Sequence, residues 1–160
     1  MKKLSYLLSA GVLVAMLAVV GCKKDDGGGI TPEDAAGANF AGTWAVGSSG
    51  SVMFDSDDRT TEYSNFTFTV NYSAGQGSGT YSATGGQSGA SPWPASGTWS
   101  FNAESPGAES FAVTRDDGLV VNVALTATDM TMTFTFDDSV NEGSRVEAVN
   151  GNWTFNLVKQ

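Results

Sequence analysis

The chain has 160 residues with eight basic and seventeen acidic side chains, one cysteine, no histidine and a formal net charge of −9. That balance argues against a nucleic-acid partner and against close contact with anionic lipid. Without histidine there are no Ser-His or Cys-His nucleophile pairs and no histidine metal ligands, and one cysteine permits no internal disulfide.

In chain order, Lys2 and Lys3 give a short positive start, and Leu4 to Val20 is apolar apart from small or weakly polar residues such as Ser5, Ser9 and Gly11. The run is shorter than the roughly 20 apolar residues of a membrane span and has the layout of a secretory signal. It ends in Val19-Val20-Gly21-Cys22, which resembles the lipobox of bacterial lipoproteins. The resemblance implies a signal peptide over residues 1–21, cleavage after Gly21, and a Cys22 that carries a thioether-linked diacylglycerol and an acylated amine. Several acyl chains at about 0.8 kcal/mol per buried CH₂ hold a protein on a membrane where one chain would be marginal. The membrane is thus a partner through the lipid anchor, with no spanning segment. Lys23 stands where an aspartate would signal inner-membrane retention. Lys24-Asp25-Asp26 resembles the export tag of surface lipoproteins of Bacteroidota. Outer-membrane attachment on the cell surface is the implied location, and the periplasmic face is the alternative.

From Lys23 to Ala38 the chain reads KKDDGGGITPEDAAGA, without periodicity and almost without large apolar residues. It is expected to be a disordered linker with a reach of about 20 to 24 Å. Residues 22–38 therefore form the lipidated cysteine and linker, and residues 39–160 one domain by length. That domain sets four basic residues, Arg59, Arg115, Arg145 and Lys159, against thirteen acidic ones.

The domain is written in strand code. NFTFTVNY (65–72) places Phe66, Phe68, Val70 and Tyr72 on one face and Asn65, Thr67, Thr69 and Asn71 on the other, and MTMTFTF (130–136) does the same with Met130, Met132, Phe134 and Phe136. Such alternation predicts strands with one buried and one wet face. Weaker examples are GTWAV (42–46), SVMFD (51–55), GTYSA (79–83), GTWSF (97–101), ESFAVTR (109–115), VVNVALT (120–126) and NWTFNLV (152–158). Glycines and paired acids separate them, as in DSDD (55–58), RDDG (115–118), DDS (137–139) and NEG (141–143). Nothing from residue 40 onward has a helical period. Eight or nine short strands with such turns predict an antiparallel barrel or a β-sandwich.

Gly42-Thr43-Trp44, Gly97-Thr98-Trp99 and Gly151-Asn152-Trp153 repeat one element, each followed two residues later by Val46, Phe101 or Phe155. Positions two apart share a strand face, so each glycine is expected to leave a gap beside its indole. The first copy, Asn39 to Trp44, resembles the opening motif of lipocalins. The resemblance implies an all-β fold with a single antiparallel up-and-down eight-stranded barrel, its base closed by Gly42 and Trp44 and its last strand returning to its first. A basic residue near the chain end, Lys159 or Arg145, would pack on Trp44. The usual lipocalin disulfide and second motif are missing, and the match is to the compact lipocalin-like domains of Bacteroidota lipoproteins. The alternative is a β-sandwich. Pairing of GTWAV with NWTFNLV separates the two, because a sandwich leaves edge strands.

An eight-stranded barrel is either filled by its own side chains or holds one small ligand. The inward stripes are crowded with tryptophan, phenylalanine and methionine, which favours a filled or shallow lumen. Trp93, between Pro92 and Pro94 in the longest loop (85–97), reads as a plug for the barrel end or as a rigid platform for a sugar or apolar ring. Trp93 and Trp99 are the candidate ligand-binding residues. A small hydrophobic ligand is the partner implied by the lipocalin resemblance, and a glycan the partner of a sandwich acting through its loops. The adjacent pairs Asp57-Asp58, Asp116-Asp117 and Asp137-Asp138 suit turns better than a hydrolytic site, since neighbouring side chains diverge. The segment from Asp55 lacks the glycine and glutamate of a calcium loop. No enzymatic activity, metal or cofactor is expected. Asp138-Ser139-Val140 resembles the pattern that Bacteroidota glycosylate on exported proteins, which makes Ser139 a glycosylation candidate.

Overall fold

The computed structural model describes residues 30–86, 91–102, 106–137 and 149–160. Alternation in sequence becomes alternation of burial along seven strands: β4 (Thr67–Ser73), β5 (Ser78–Thr84), β6 (Ser96–Phe101), β7 (Ser110–Arg115), β8 (Val120–Leu125), β9 (Asp129–Phe136) and β10 (Gly151–Lys159). Each pairs antiparallel with the next in the chain. Closure comes from β1 (Gly42–Ala45), which pairs with β4 on one side and β10 on the other, so that Trp44 faces both Phe68 and Lys159. The result is a closed antiparallel eight-stranded barrel of lipocalin-like, up-and-down type. The sandwich alternative is overturned by that pairing, and closure removes the edges a sandwich would leave.

Segment SVMFD is not a stave of its own. Val46 to Gly50 step out of the ladder, and β2 (Ser51–Phe54) then resumes the path of β1 along β10, with Phe54 opposite Trp153. Gly50 donates to the Val46 carbonyl at 2.8 Å, at a point where a Cβ would strike carbonyl oxygens of Val46 and Asn156. A tight hairpin with Asp55 at φ 49° leads to β3 (Asp57–Asp58), and a 3-10 turn (Thr60–Tyr63) carries the chain across the barrel mouth to β4.

The segment expected to remain a disordered linker as far as Ala38 instead forms α1 (Pro32–Phe40). Thr31 caps it, its hydroxyl accepting from the Asp34 N–H at 3.0 Å, and Pro32 occupies the first turn, where its missing N–H costs nothing. A helix this short is marginal alone, so docking must supply what its sequence lacks. Phe40 meets Trp99 and Phe111 edge-on at 5.0 and 5.4 Å. Asp34 Oδ1 accepts from the Tyr72 hydroxyl at 2.7 Å and the Gly75 N–H at 2.9 Å. Gly37 lets the Tyr72 ring lie against the helix backbone, where any Cβ would collide with it. Among the described residues no helix is long and apolar enough to cross a membrane.

The barrel thus has a helix end, with α1 and the turn between β4 and β5, and a far end, with the 3-10 turn, the loop before β6 and the turn between β7 and β8. Between them lies one core, with Trp44, Phe66, Met132 and Phe155 each at most 1% exposed. Tyr72 and Phe101 are only partly buried against it, beneath α1.

Candidate functional site

The lumen is the first place to look, and side chains fill it. Its enclosed cavity, among Phe40, Phe68, Tyr81, Trp93 and Met132, measures about 10 Å³. Ligand pockets run from about 300 to 1,000 Å³, and a space of about 10 to 15 Å³ suits a single water. A hydrophobic ligand has no room inside this arrangement of side chains.

Trp93 is the reason the far end is shut. The platform reading would hold its indole out on the loop, but the ring is 6% exposed and sits inside the barrel, 4.7 Å from Phe68, 5.3 Å from Phe134 and 5.7 Å from Tyr81. It is a plug. Arg115 holds it there, with its guanidinium 5.0 Å over the ring, NH1 donating to the Pro92 carbonyl at 2.8 Å, and Nε and NH2 forking onto the Asp117 carboxylate. Arg115 is itself 3% exposed. Burying a guanidinium is tolerable only when its nitrogens are paired, and here each of the three donates a hydrogen bond. In the sequence Arg115 belongs both to the end of the strand ESFAVTR and to the turn RDDG, and its phase with Phe111 and Val113 puts it on the inward face. Its neighbours diverge as expected of adjacent carboxylates: Asp117 turns to Arg115, while Asp116 accepts from the Thr98 N–H at 3.1 Å.

The three Gly-x-Trp copies separate into two kinds. Trp44 Nε1 donates to the Phe40 carbonyl at 2.9 Å and Trp153 Nε1 to the Val149 carbonyl at 2.8 Å, each reaching back four residues over a glycine of positive φ, Gly42 at 139° and Gly151 at 153°. Both are corners at which the chain turns into a strand. Trp99 instead donates across the sheet to the Thr80 carbonyl at 3.3 Å, and the gap at Gly97 is occupied by Tyr81 rather than by its own indole. Trp99 is buried among Phe40, Tyr72 and Phe101, so it also presents no ligand platform. Of the two basic candidates for Trp44, Lys159 lies 5.1 Å over the ring. Arg145, Ser139 and Cys22 fall outside the described residues.

Three titratable groups mark the ends. Hydrogen bonds from Tyr72, then Gly75 and Thr31, hold the Asp34 carboxyl below the usual carboxylate range. Loss of hydration, then the hydrogen bond to Asp34, pushes the Tyr72 phenol up to about 12. At the far end burial, with a smaller push from the Glu62 carboxylate, lifts the Tyr63 phenol to about 12. Among the described residues there is no group of three acidic or sulfur side chains placed to hold a metal.

What remains is the outer wall. From β4 to β10 its outward strand positions carry one charged residue, Asp129 at a strand start; the rest are mostly Thr, Ser and Asn. They meet in cross-strand rows: Thr43 opposite Thr69, Thr69 opposite Ser82, Ser82 opposite Ser96, and Thr133 opposite both Asn122 and Thr154. Two open depressions lie on this wall. One of about 580 Å³ crosses β8, β9 and β10, lined by Val120, Asn122, Thr133, Thr135, Asn152 and Thr154 among others. The second, of about 400 Å³, crosses β5, β6 and β7. No family model, no curated protein and no solved structure matches this chain.

Proposed function

We propose that this chain is a lipid-anchored outer-membrane lipoprotein, displayed at the cell surface, whose barrel is a non-enzymatic interaction module working through its outer surface rather than through its lumen. The lipobox at Cys22 and the charged segment after it support the anchor and the location. The observation that carries the outward reading is the filled interior: a cavity of about 10 Å³ inside, against depressions of about 580 and 400 Å³ on the wall. A hydrophobic ligand in the lumen would have to displace Trp93, and with it the buried Arg115–Asp117 pair.

Native mass spectrometry of the full chain, extracted in detergent from its own envelope, tests both halves of this proposal. The expected mass is that of the processed polypeptide plus the acyl groups on Cys22, with no second apolar molecule. A retained hydrophobic small molecule would overturn the outward reading. A Cys22→Ser chain that still fractionates with the outer membrane would overturn the anchor.

A further inference from the structure

We propose that the depression across β8, β9 and β10 is a docking site for a neutral oligosaccharide. This rests on the outward reading above and gives it a partner chemistry. Its volume, about 580 Å³, is that of a ligand site, although it lies on the outer wall of the barrel. Its lining has no basic residue, and its one carboxylate is Asp137. In a chain of net charge −9 such a surface repels anionic polymers and has nothing to pair with them.

The groups it does offer match a sugar. Asn122, Thr133 and Thr154 are neighbours in register, and among the described residues none of their side chains is committed to a hydrogen bond. A hydroxyl and a carboxamide each donate and accept, as sugar hydroxyls do. Beside them Thr135 donates to Asn152 Oδ1 at 2.8 Å, and Asn152 Nδ2 donates to Asp55 Oδ1 at 3.0 Å, which fixes one flank of the site. Val120 lies in the same lining at 43% exposure, one of two exposed large apolar residues among those described. It supplies a hydrocarbon surface for the C–H face of a pyranose ring. A protein partner fits less well, since among the described residues the only free strand edge is the two-residue β3 and the exposed large apolar residues are Ile30 and Val120 alone. The second depression is a weaker candidate, because several of its polar groups are already paired: Thr114 with Asn102, Asp116 with the Thr98 N–H, and Thr80 with Asn71.

The test is titration of the detergent-solubilised full chain with neutral hexasaccharides of glucose, mannose and xylose, and with an oligogalacturonate of equal length. At least one neutral hexasaccharide is expected to bind and the acidic one not. The pair Thr133→Val/Thr154→Val keeps shape and strand preference and should weaken binding at least tenfold. Thr80→Val/Thr98→Val, on the other depression, should leave it unchanged. Tryptophan fluorescence confirms that both variants fold. Absence of binding to every neutral hexasaccharide overturns the proposal. So does preference for the oligogalacturonate, or binding that survives the Thr133/Thr154 change. If the sugar assignment fails while native mass spectrometry still finds an empty lumen, the outward reading stands without it; an apolar molecule in the lumen would remove both.

Discussion

The two ends of the barrel are closed by different physics. At the far end a loop folds inward and places Trp93 in the core, tied by a buried guanidinium to Asp117 and the Pro92 carbonyl. At the helix end α1 lies across the opening, with Phe40 as its apolar anchor and hydrogen bonds from Tyr72 and Gly75 to Asp34 at its rim. The difference shows that an internal plug commits the whole core to its position, while an external cap can loosen without unfolding the barrel. The far end should therefore respond to mutation as global stability, and the helix end as local opening.

Trp93→Ala is expected to break that contrast most severely, costing about 3 to 5 kcal/mol as a large-to-small change in a packed interior. Urea unfolding should show the loss in the single transition of the entire barrel. If only the loop signal moves, the plug is not part of the core. The variant should also gain binding of indole, which would refill the vacated space beneath the Arg115 guanidinium.

Next in size, Asp117→Ala removes the carboxylate partner of a buried arginine and is expected to cost about 3 kcal/mol. The double change Arg115→Met/Asp117→Ala should recover much of this by removing the stranded charge. A double variant no better than the single one would mean that Arg115 acts chiefly through the Pro92 carbonyl and the stacking on Trp93.

At the helix end, Gly37→Ala forces a methyl group into the Tyr72 ring. Overpacking of this kind costs about 1 to 3 kcal/mol, but here α1 can relieve it by lifting away. The expected result is faster amide exchange in Pro32–Phe40 and near Tyr72, with the urea midpoint of the barrel almost unchanged. A parallel fall in global stability would make α1 part of the cooperative core.

The smallest effect is the pH dependence of the cap. Asp34 has a folded pKa below its ordinary value of 3.8, so its stabilising contribution is present above that value and lost as pH falls through the folded one. Tyr72, raised to about 12, acts in the opposite window: its contribution is complete below its ordinary value of 10.0 and fades as pH rises toward 12. Amide protection of α1, taken relative to intrinsic exchange at each pH, should therefore fall at both extremes. Asp34→Asn should flatten the acid side of that profile and leave the exchange of β9 and β10 as it was.

Much of this architecture was legible in local pattern. The period-two runs of β4 and β9 declared their buried faces because one face of each strand packs in the core, and the acid clusters at 55–58 and 115–118 marked turns because Asp and Gly suit them. The lipocalin-like Gly42-Thr43-Trp44 also pointed to the right partner strand, and Lys159 was one of the two residues named for Trp44. Site reasoning stayed open where a residue's surroundings lie far off in sequence. Trp93 between two prolines reads as a plug or as a rigid platform, and the neighbours that decide for the plug, Phe68, Phe134 and Arg115, belong to three separate strands. Arg115 reads as turn polarity until the inward phase of β7 is followed to its last residue.

By itself, then, the sequence determined which segments are strands and which side of each is apolar, because these depend on periodicities of a few residues. Tertiary structure alone decided between closed barrel and sandwich and between plug and platform for Trp93, that SVMFD continues the first strand instead of adding a stave, and that a weakly helical PEDAAGANF becomes a cap. Each of these is fixed by pairing or packing between residues tens of positions apart. Local propensity carries no information about those contacts until the chain has folded back on itself.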